Sequence, residues 1–262
     1  MKTRYNAWMN NIGLQDIDDS IYVVEIVERD PDEEIIKAER SMSGGTRFIR
    51  VNRHALSVVI RFVVREHDPA RRADIVSRVR AWAKEGYLTT SDKPGKRLYV
   101  VCEYLPMVEG AMRWHETLEL TLTAYDVPWW EDTSNNCCTI EPNVPSNGTT
   151  YIGSSTLYQP GTTEAPVDVT VTAKSAMDTF RIDASENKYY KLEGLGMKGG
   201  DVLTITHDER GINYFKVNGA SVLKKRTADS QDNVVIPPGH TTLTVRAGGP
   251  CKVVCSVRGR YL

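Results

Sequence analysis

Residues 117–131 read TLELTLTAYDVPWWE, an apolar and polar alternation that runs into a proline and then two adjacent tryptophans. Successive side chains on a strand point to opposite faces, so period two predicts a half-buried strand here. Upstream, HALSVVIRFVVRE places Leu56, Val58, Ile60 and Phe62 on one face but also Val59, Val63 and Val64 off it. A strand of that kind is covered on much of both faces. Between the two lies the helix signal HDPARRADIVSRVRAWAKEG. Asp68 suits the cap, Pro69 the first helical position, Ile75, Val79 and Trp82 one face, and Gly86 a left-handed stop. YLTTS, the turn SDKPGK, the strand RLYVVCEYL, the connection PMVEGAM and the strand RWHETLELTLTAY follow, a switch to long paired strands.

Residues 133–165 are rich in Asn, Ser, Thr, Gly and Pro with few apolar positions, which predicts a linker into a second domain. Beyond it no helical period recurs. PVDVTVTA alternates, DTFRID and YYKLEGL are short strand candidates, GDVLTITH and INYFKV flank DERG, and Asn218-Gly219 predicts a hairpin turn into SVLKK. PPGHTTLTVRAGG adds a turn and a strand, and CKVVCSVRGRYL is expected as the final strand. About eight short strands in roughly 100 residues predict a β-sandwich or jelly roll.

Composition narrows the function classes. The 262-residue chain is 40% hydrophobic with a formal net charge of −1, so neither half offers the basic surface that phosphate backbones require. No apolar run reaches membrane-spanning length, and the start MKTRYNAWMNNIGLQD lacks the apolar middle of a signal peptide, which predicts folding in a cytosol. Five cysteines, an odd number, agree with a reducing compartment. Cys251 and Cys255 share a strand face at about 13 Å, too far apart to bridge. Cys137 and Cys138 have no histidine near them in sequence, and they read as small buried or linker residues.

Candidate chemistry fails motif by motif. Asp16 and Asp18 begin like a calcium loop, but Ile21 stands where the turn needs glycine and Val27 where the bidentate glutamate belongs. Glycines 194, 196, 199 and 200 lack the Gly-Lys-Ser/Thr of a phosphate cradle and read as turn glycines. His115-Glu116 has no second histidine four residues on, and His54, His67, His207 and His240 are scattered. The acidic run Asp30 to Glu39 reads as a solvated face. Tyr158, Tyr189, Tyr190 and Tyr214 are candidates for stacking on a sugar, and periodic strand tyrosines equally serve as packing residues.

The order of these features resembles the distal tail proteins of long-tailed, siphovirus-type bacteriophages. One strand and one helix carrying RAWAKEG, the entry LTTSDKPGKRLYV and the exit AYDVPWWED are similar to that family's first domain. GLGMKGGDVLTITHDERGINYFKVNGAS, IPPGHTTLTVRAG and SVRGRYL resemble its galectin-like second domain. The resemblance implies an α+β belt domain (residues 1–132, a β-sheet with one amphipathic helix) followed by residues 133–262, a linker plus an all-β galectin-like sandwich. It implies no enzyme, cofactor, metal or catalytic residue, and no nucleic acid or membrane partner. It implies a homo-oligomeric ring, usually a hexamer, at the virion tail tip, assembled in the bacterial host cytoplasm. The ring would join the tail tube to tip and fibre or receptor-binding proteins. A carbohydrate-binding module for host cell-wall glycan is the alternative. Trp129 and Trp130 would seal the base of the first core or pack where domains or subunits meet, and only one of the pair can point inward.

Overall fold

A computed structural model describes residues 5–29, 33–39, 46–105, 116–146, 149–185, 188–208 and 211–261. The connection PMVEGAM, His115 and the start of the acidic run lie outside them. The chain forms two compact units, Met1–Trp130 and Glu131–Leu262. No helix among the described residues is long and apolar enough to cross a membrane.

In the first unit, strands β1 (Ala7–Met9), β2 (Ile12–Gly13), β3 (Ile21–Arg29), β4 (Glu33–Glu39), β5 (Thr46–Arg53) and β6 (Leu56–Val64) precede helix α1 (Pro69–Trp82). Strands β7 (Glu85–Thr90), β8 (Lys96–Tyr104) and β9 (Thr117–Ala124) follow it. The main sheet runs β2-β1-β7-β8-β9-β6-β3, and β4 pairs with β5 as a separate ribbon. The acidic run expected as a solvated face is thus partly strand: the residues after its first three pair antiparallel with Thr46–Arg53.

The alternation in β9 has its predicted consequence. Leu118, Leu120 and Leu122 stand opposite Phe62, Ile60 and Val58 on the core face, and all six are buried. Each such side chain contributes about 1.5–3 kcal/mol on leaving water. Val59 is buried as well, so the second face of β6 is covered at that position, while Ser57, Arg61 and Val63 on it stay half-buried. On the opposite face Arg61 bridges Glu119 at 3.1 Å and Glu25 at 2.9 Å, a charge ladder that keeps that surface polar.

Asp68 caps α1 by accepting from the Ala70 amide at 2.9 Å, with Pro69 in the first turn. The helix stops before Gly86, contrary to expectation. Ala83 closes it by donating to the Val79 carbonyl, and the Lys84 carbonyl accepts from the Cys102 amide. Pairing with β8 therefore captures the chain first, and Gly86 lies in β7 opposite Val100.

The second unit holds β10 (Trp130–Asp132, which begins in the first unit), β11 (Asn136–Ile140), β12 (Tyr151–Gln159), β13 (Ala165–Ala173), β14 (Met177–Ser185), β15 (Lys188–Met197) and β16 (Val202–His207). Then come β17 (Asn213–Val217), β18 (Ala220–Ser221), β19 (Val235–Ile236), β20 (Gly239–Ala247), β21 (Cys251–Val257) and β22 (Arg260–Tyr261). Two antiparallel sheets, β11-β21-β13-β16-β17-β18 and β12-β20-β14-β15, share one core that includes Val169, Val171, Ile205, Phe180, Tyr190 and Val245.

Three expectations are corrected here. Residues 133–165 are not a linker, because β11 and β12 lie within them. The Ser and Thr of YIGSSTLYQ are strand residues of a sheet with one wet face, and β12 pairs with β20 along its whole length. SVLKK gives only the two-residue β18 and then a single 3-10 turn, Leu223–Lys225. The final strand breaks at Arg258 and Gly259, and β22 resumes beyond the break. The hairpin turn stands as expected: Asn218 and Gly219 have φ of 48° and 84°, the pair of positive values a type I′ turn needs.

Removing the helix cap tests the first unit's local logic. Asp68→Ala should lower unfolding free energy by about 1 kcal/mol while Asp68→Asn, which keeps an acceptor, should lower it far less. Urea titration followed by circular dichroism reads both.

Candidate interaction site

The two tryptophans part as strand geometry demands: Trp130 is 1% exposed, whereas Trp129 is half-buried. A bulge in β3 prepares the place for Trp130. Ile21 and Val23 face the core with Val64 and Phe62, then the register shifts by one residue between Val23 and Glu25. That shift reverses which positions face inward. Ile26 and Glu28, rather than Val27, come opposite Ile60 and Val58 on the core face. Glu28 then accepts the Trp130 indole N–H at 3.1 Å and pairs with Lys93 from the β7–β8 turn. The Lys93 ammonium also lies 4.8 Å from the Trp130 ring centre. A carboxylate brought to the core face is costly unless paired, and indole and ammonium together satisfy it. The Trp129 indole N–H is buried with no acceptor among the described residues.

The residues directly after Trp130 belong to the second unit. Arg260 holds Glu131 through Nε at 3.0 Å and Nη2 at 2.9 Å, with both side chains under one-fifth exposed. The Tyr261 hydroxyl donates to Asp132, whose own amide donates to the Gly259 carbonyl. The Arg260 carbonyl accepts from the amides of Thr162 and Thr163. Gly161 permits this approach, because a Cβ there would lie 2.2 Å from the Arg260 carbonyl oxygen. Fully buried Gln159 fixes the same loop, donating to the Thr163 carbonyl and accepting from the Gly161 amide. The start and the end of the second unit are thereby tied at Arg260.

A third cluster lies among residues the sequence left scattered. His207 Nδ1 stands 2.8 Å from Asp168, and its Nε2 lies 3.0 Å from Asn233 Oδ1 and 3.3 Å from the Tyr190 hydroxyl. That hydroxyl accepts from the Val234 amide at 2.9 Å. Burial pushes the Tyr190 phenol well above its usual value, so it stays neutral. The arrangement joins β13, β15 and β16 to the segment before β19. It pairs a carboxylate with an imidazole but, among the described residues, places no serine or cysteine in hydrogen-bond contact with them, and it runs from buried Tyr190 out to exposed Asn233 as a hydrogen-bonded network.

The four candidate sugar-stacking tyrosines do not meet on one surface. Tyr190 is fully buried against Phe215. Tyr189 is stacked by the Arg181 guanidinium at 3.9 Å. Tyr158, on the outer face of the β12 sheet, packs on His240 at 4.8 Å between ring centres. Tyr214, outward from β17 in the other sheet, donates to Asp208. Among the described residues no group of three or more His, Cys, Asp or Glu stands close enough to hold a metal.

A helix-bearing antiparallel sheet followed by a two-sheet sandwich, both in one chain, is a fold found among phage tail hub proteins. The crystal structure of the SPP1 Dit protein, described as a paradigm of the hub adsorption apparatus in phages infecting Gram-positive hosts, is similar to this chain. It has a TM-score of 0.71 at 14% identity, over 97% of this chain and 98% of that one. The phage P2 baseplate in its activated conformation contains a similar chain too. With Ca the TM-score is 0.51 at 7% identity over 92% of this chain and 90% of that one. With Sr it is 0.52 at 8% over 97% of each. No family model matches the sequence, and no curated protein matches it. The chain has the distal tail protein fold along nearly its whole length.

Two substitutions test the geometry. Trp130→Ala should lower unfolding free energy by about 3–5 kcal/mol, since it empties a large buried site and strips Glu28 of one partner. Tyr190→Phe should remove about 1–3 kcal/mol by orphaning the buried Val234 amide. Chemical denaturation of the full chain measures each, and a change near zero at Trp130 would contradict its place in the first core.

Proposed function

We propose that this chain is a structural hub of a phage or prophage tail tip. In this reading the first unit acts as a belt that closes into a ring, usually of six copies, around the tail channel. The second, galectin-like unit docks other tail proteins, and the whole joins the tail tube to tip and fibre or receptor-binding proteins. The observation that carries the reading is the end-to-end likeness to SPP1 Dit, with 97% and 98% of the two chains covered. No catalytic step is part of it. The location that goes with it is the virion tail tip, after assembly in the host cytoplasm.

Local features support ring formation. Among the described residues β4 and β5 pair only with each other, and β3 forms one end of the main sheet's path. Unpaired strand edges are templates for a neighbouring chain, and a closed ring removes them by symmetry. Trp129 is the second support. Its half-buried ring leaves apolar surface for another subunit to cover, whereas Trp130 is committed to Glu28 and Lys93. The glycan alternative has less support, because Tyr158 and Tyr214 face outward from different sheets and Tyr190 is interior.

Native mass spectrometry of the full chain, alone and with its tail neighbours, should give a closed ring. Trp129→Ser should shift that species toward smaller assemblies by more than its effect on the melting temperature of the monomer accounts for. A strict monomer under every condition, or a ring indifferent to Trp129, would count against the respective parts of the proposal.

A further inference from the structure

Cys138 and Cys255 are far apart in sequence and directly opposed in the fold. β11 is an edge strand whose only described sheet partner is β21, and the register pairs Asn136 with Val257, Cys138 with Cys255, and Ile140 with Val253. Along β11 Cys137 and Thr139 are exposed while Ile140 is buried. Cys138 therefore faces inward and packs against the core that contains Cys255. Residues directly opposed on antiparallel strands have Cα atoms about 4.5 or 5.5 Å apart, and both values lie within the span a disulfide bridges. Both thiols are free.

The two thiols differ in the way a reacting pair must. Cys138 is half-buried and receives hydrogen bonds from the Cys255 thiol and from Ser155 on the facing sheet, which bring its thiol down to about 7. Cys255 is fully buried, and its bond to Cys138 and its burial push it far up. Cys138, the more accessible of the two, is the sulfur that an oxidant from solvent reaches first. A thiol that titrates near ambient pH combines a useful thiolate fraction with retained nucleophilicity. None of the other cysteines shares these features. Cys137 points to the opposite side of β11, Cys251 lies four residues, about 13 Å, from Cys255 along β21, and Cys102 belongs to the first unit.

We propose that Cys138 and Cys255 form a peroxide-responsive pair that closes into a cross-strand disulfide, fastening the edge strand β11 to the C-terminal strand β21. In the first step the Cys138 thiolate attacks one oxygen of hydrogen peroxide. The O–O bond breaks, Cys138 becomes a sulfenic acid, and the departing hydroxide takes up the proton Cys138 had released, giving water. In the second step the Cys255 sulfur attacks the sulfenic sulfur. The S–O bond breaks, and the hydroxyl leaves as water with the Cys255 proton. Two thiols and one peroxide give one disulfide and two waters. The loop so closed runs from Cys138 to Cys255 and takes in nearly the whole second unit, Glu131–Leu262. Cross-linking a loop of that length restricts the unfolded chain strongly, and β11 becomes a strand that cannot fray from its sheet.

The test uses the full-length protein, reduced, freed of reductant and titrated with hydrogen peroxide at neutral pH. Digestion without reduction, read by mass spectrometry, should give one linked peptide pair carrying Cys138 and Cys255, lighter than the two thiol peptides by two hydrogens. The thermal transition of the second unit should rise by about 10 °C and return with dithiothreitol. Cys138→Ser and Cys255→Ser should each abolish the linked pair and the rise. Peptide mapping of the unsubstituted protein decides the matter even if a variant fails to fold. Oxidation of exposed Cys137 while Cys138 and Cys255 remain thiols would overturn the proposal. So would a bond from Cys138 to any other cysteine, or the same thermal rise in Cys138→Ser.

Discussion

Consecutive residues of one short strand serve two different cores, and the rest of the structure depends on that handover. Trp130 is held by Glu28 and Lys93 in the first unit, and Glu131 is held by Arg260 in the second. The large buried area of an indole anchors one side, while a nearly buried, doubly hydrogen-bonded arginine–carboxylate pair anchors the other. Neither is decorative: a buried carboxylate that lost its partner would be left with the full desolvation penalty. The bulge in β3 turns Glu28 inward to Trp130 in the first unit, and Gly161 admits the Arg260 backbone in the second.

Local signals were legible and distant ones were not. Asp68 and Pro69 announced α1, the alternation of TLELTLTA announced β9, and Asn218-Gly219 announced its turn, because each of these is decided by neighbours within a few residues. The helix end was misplaced because a strand pairing with Cys102 competes with the left-handed stop at Gly86. β11 and β12 were hidden because Ser, Thr and Gly serve equally in turns and on the wet face of an edge sheet, so composition spoke louder than the alternation in YIGSSTLYQ. The acidic run hid β4 for a similar reason. Of the site, the tryptophan pair stood out in the sequence. Glu28, Lys93, Arg260 and the opposition of Cys138 to Cys255 did not, since partners separated by dozens of residues are joined only by topology.

The chemistry of the second unit points the same way as its fold. Asp168, His207, Tyr190 and Asn233 look like parts of an acid–base site when named together. Their geometry is instead that of a hydrogen-bonded network running from buried, neutral Tyr190 through His207 to Asp168 and exposed Asn233. Such networks specify a unique core. The outward tyrosines are likewise spent on neighbours or divided between two sheets.

The most direct measurement of that account is electron cryomicroscopy of the tail particle that contains this chain. The account predicts a closed ring of copies around the tail channel, with Trp129 at the contact between neighbours and Trp130 enclosed in each first unit. Copies attached singly, without contact among themselves, or absence of the chain from the particle, would contradict it.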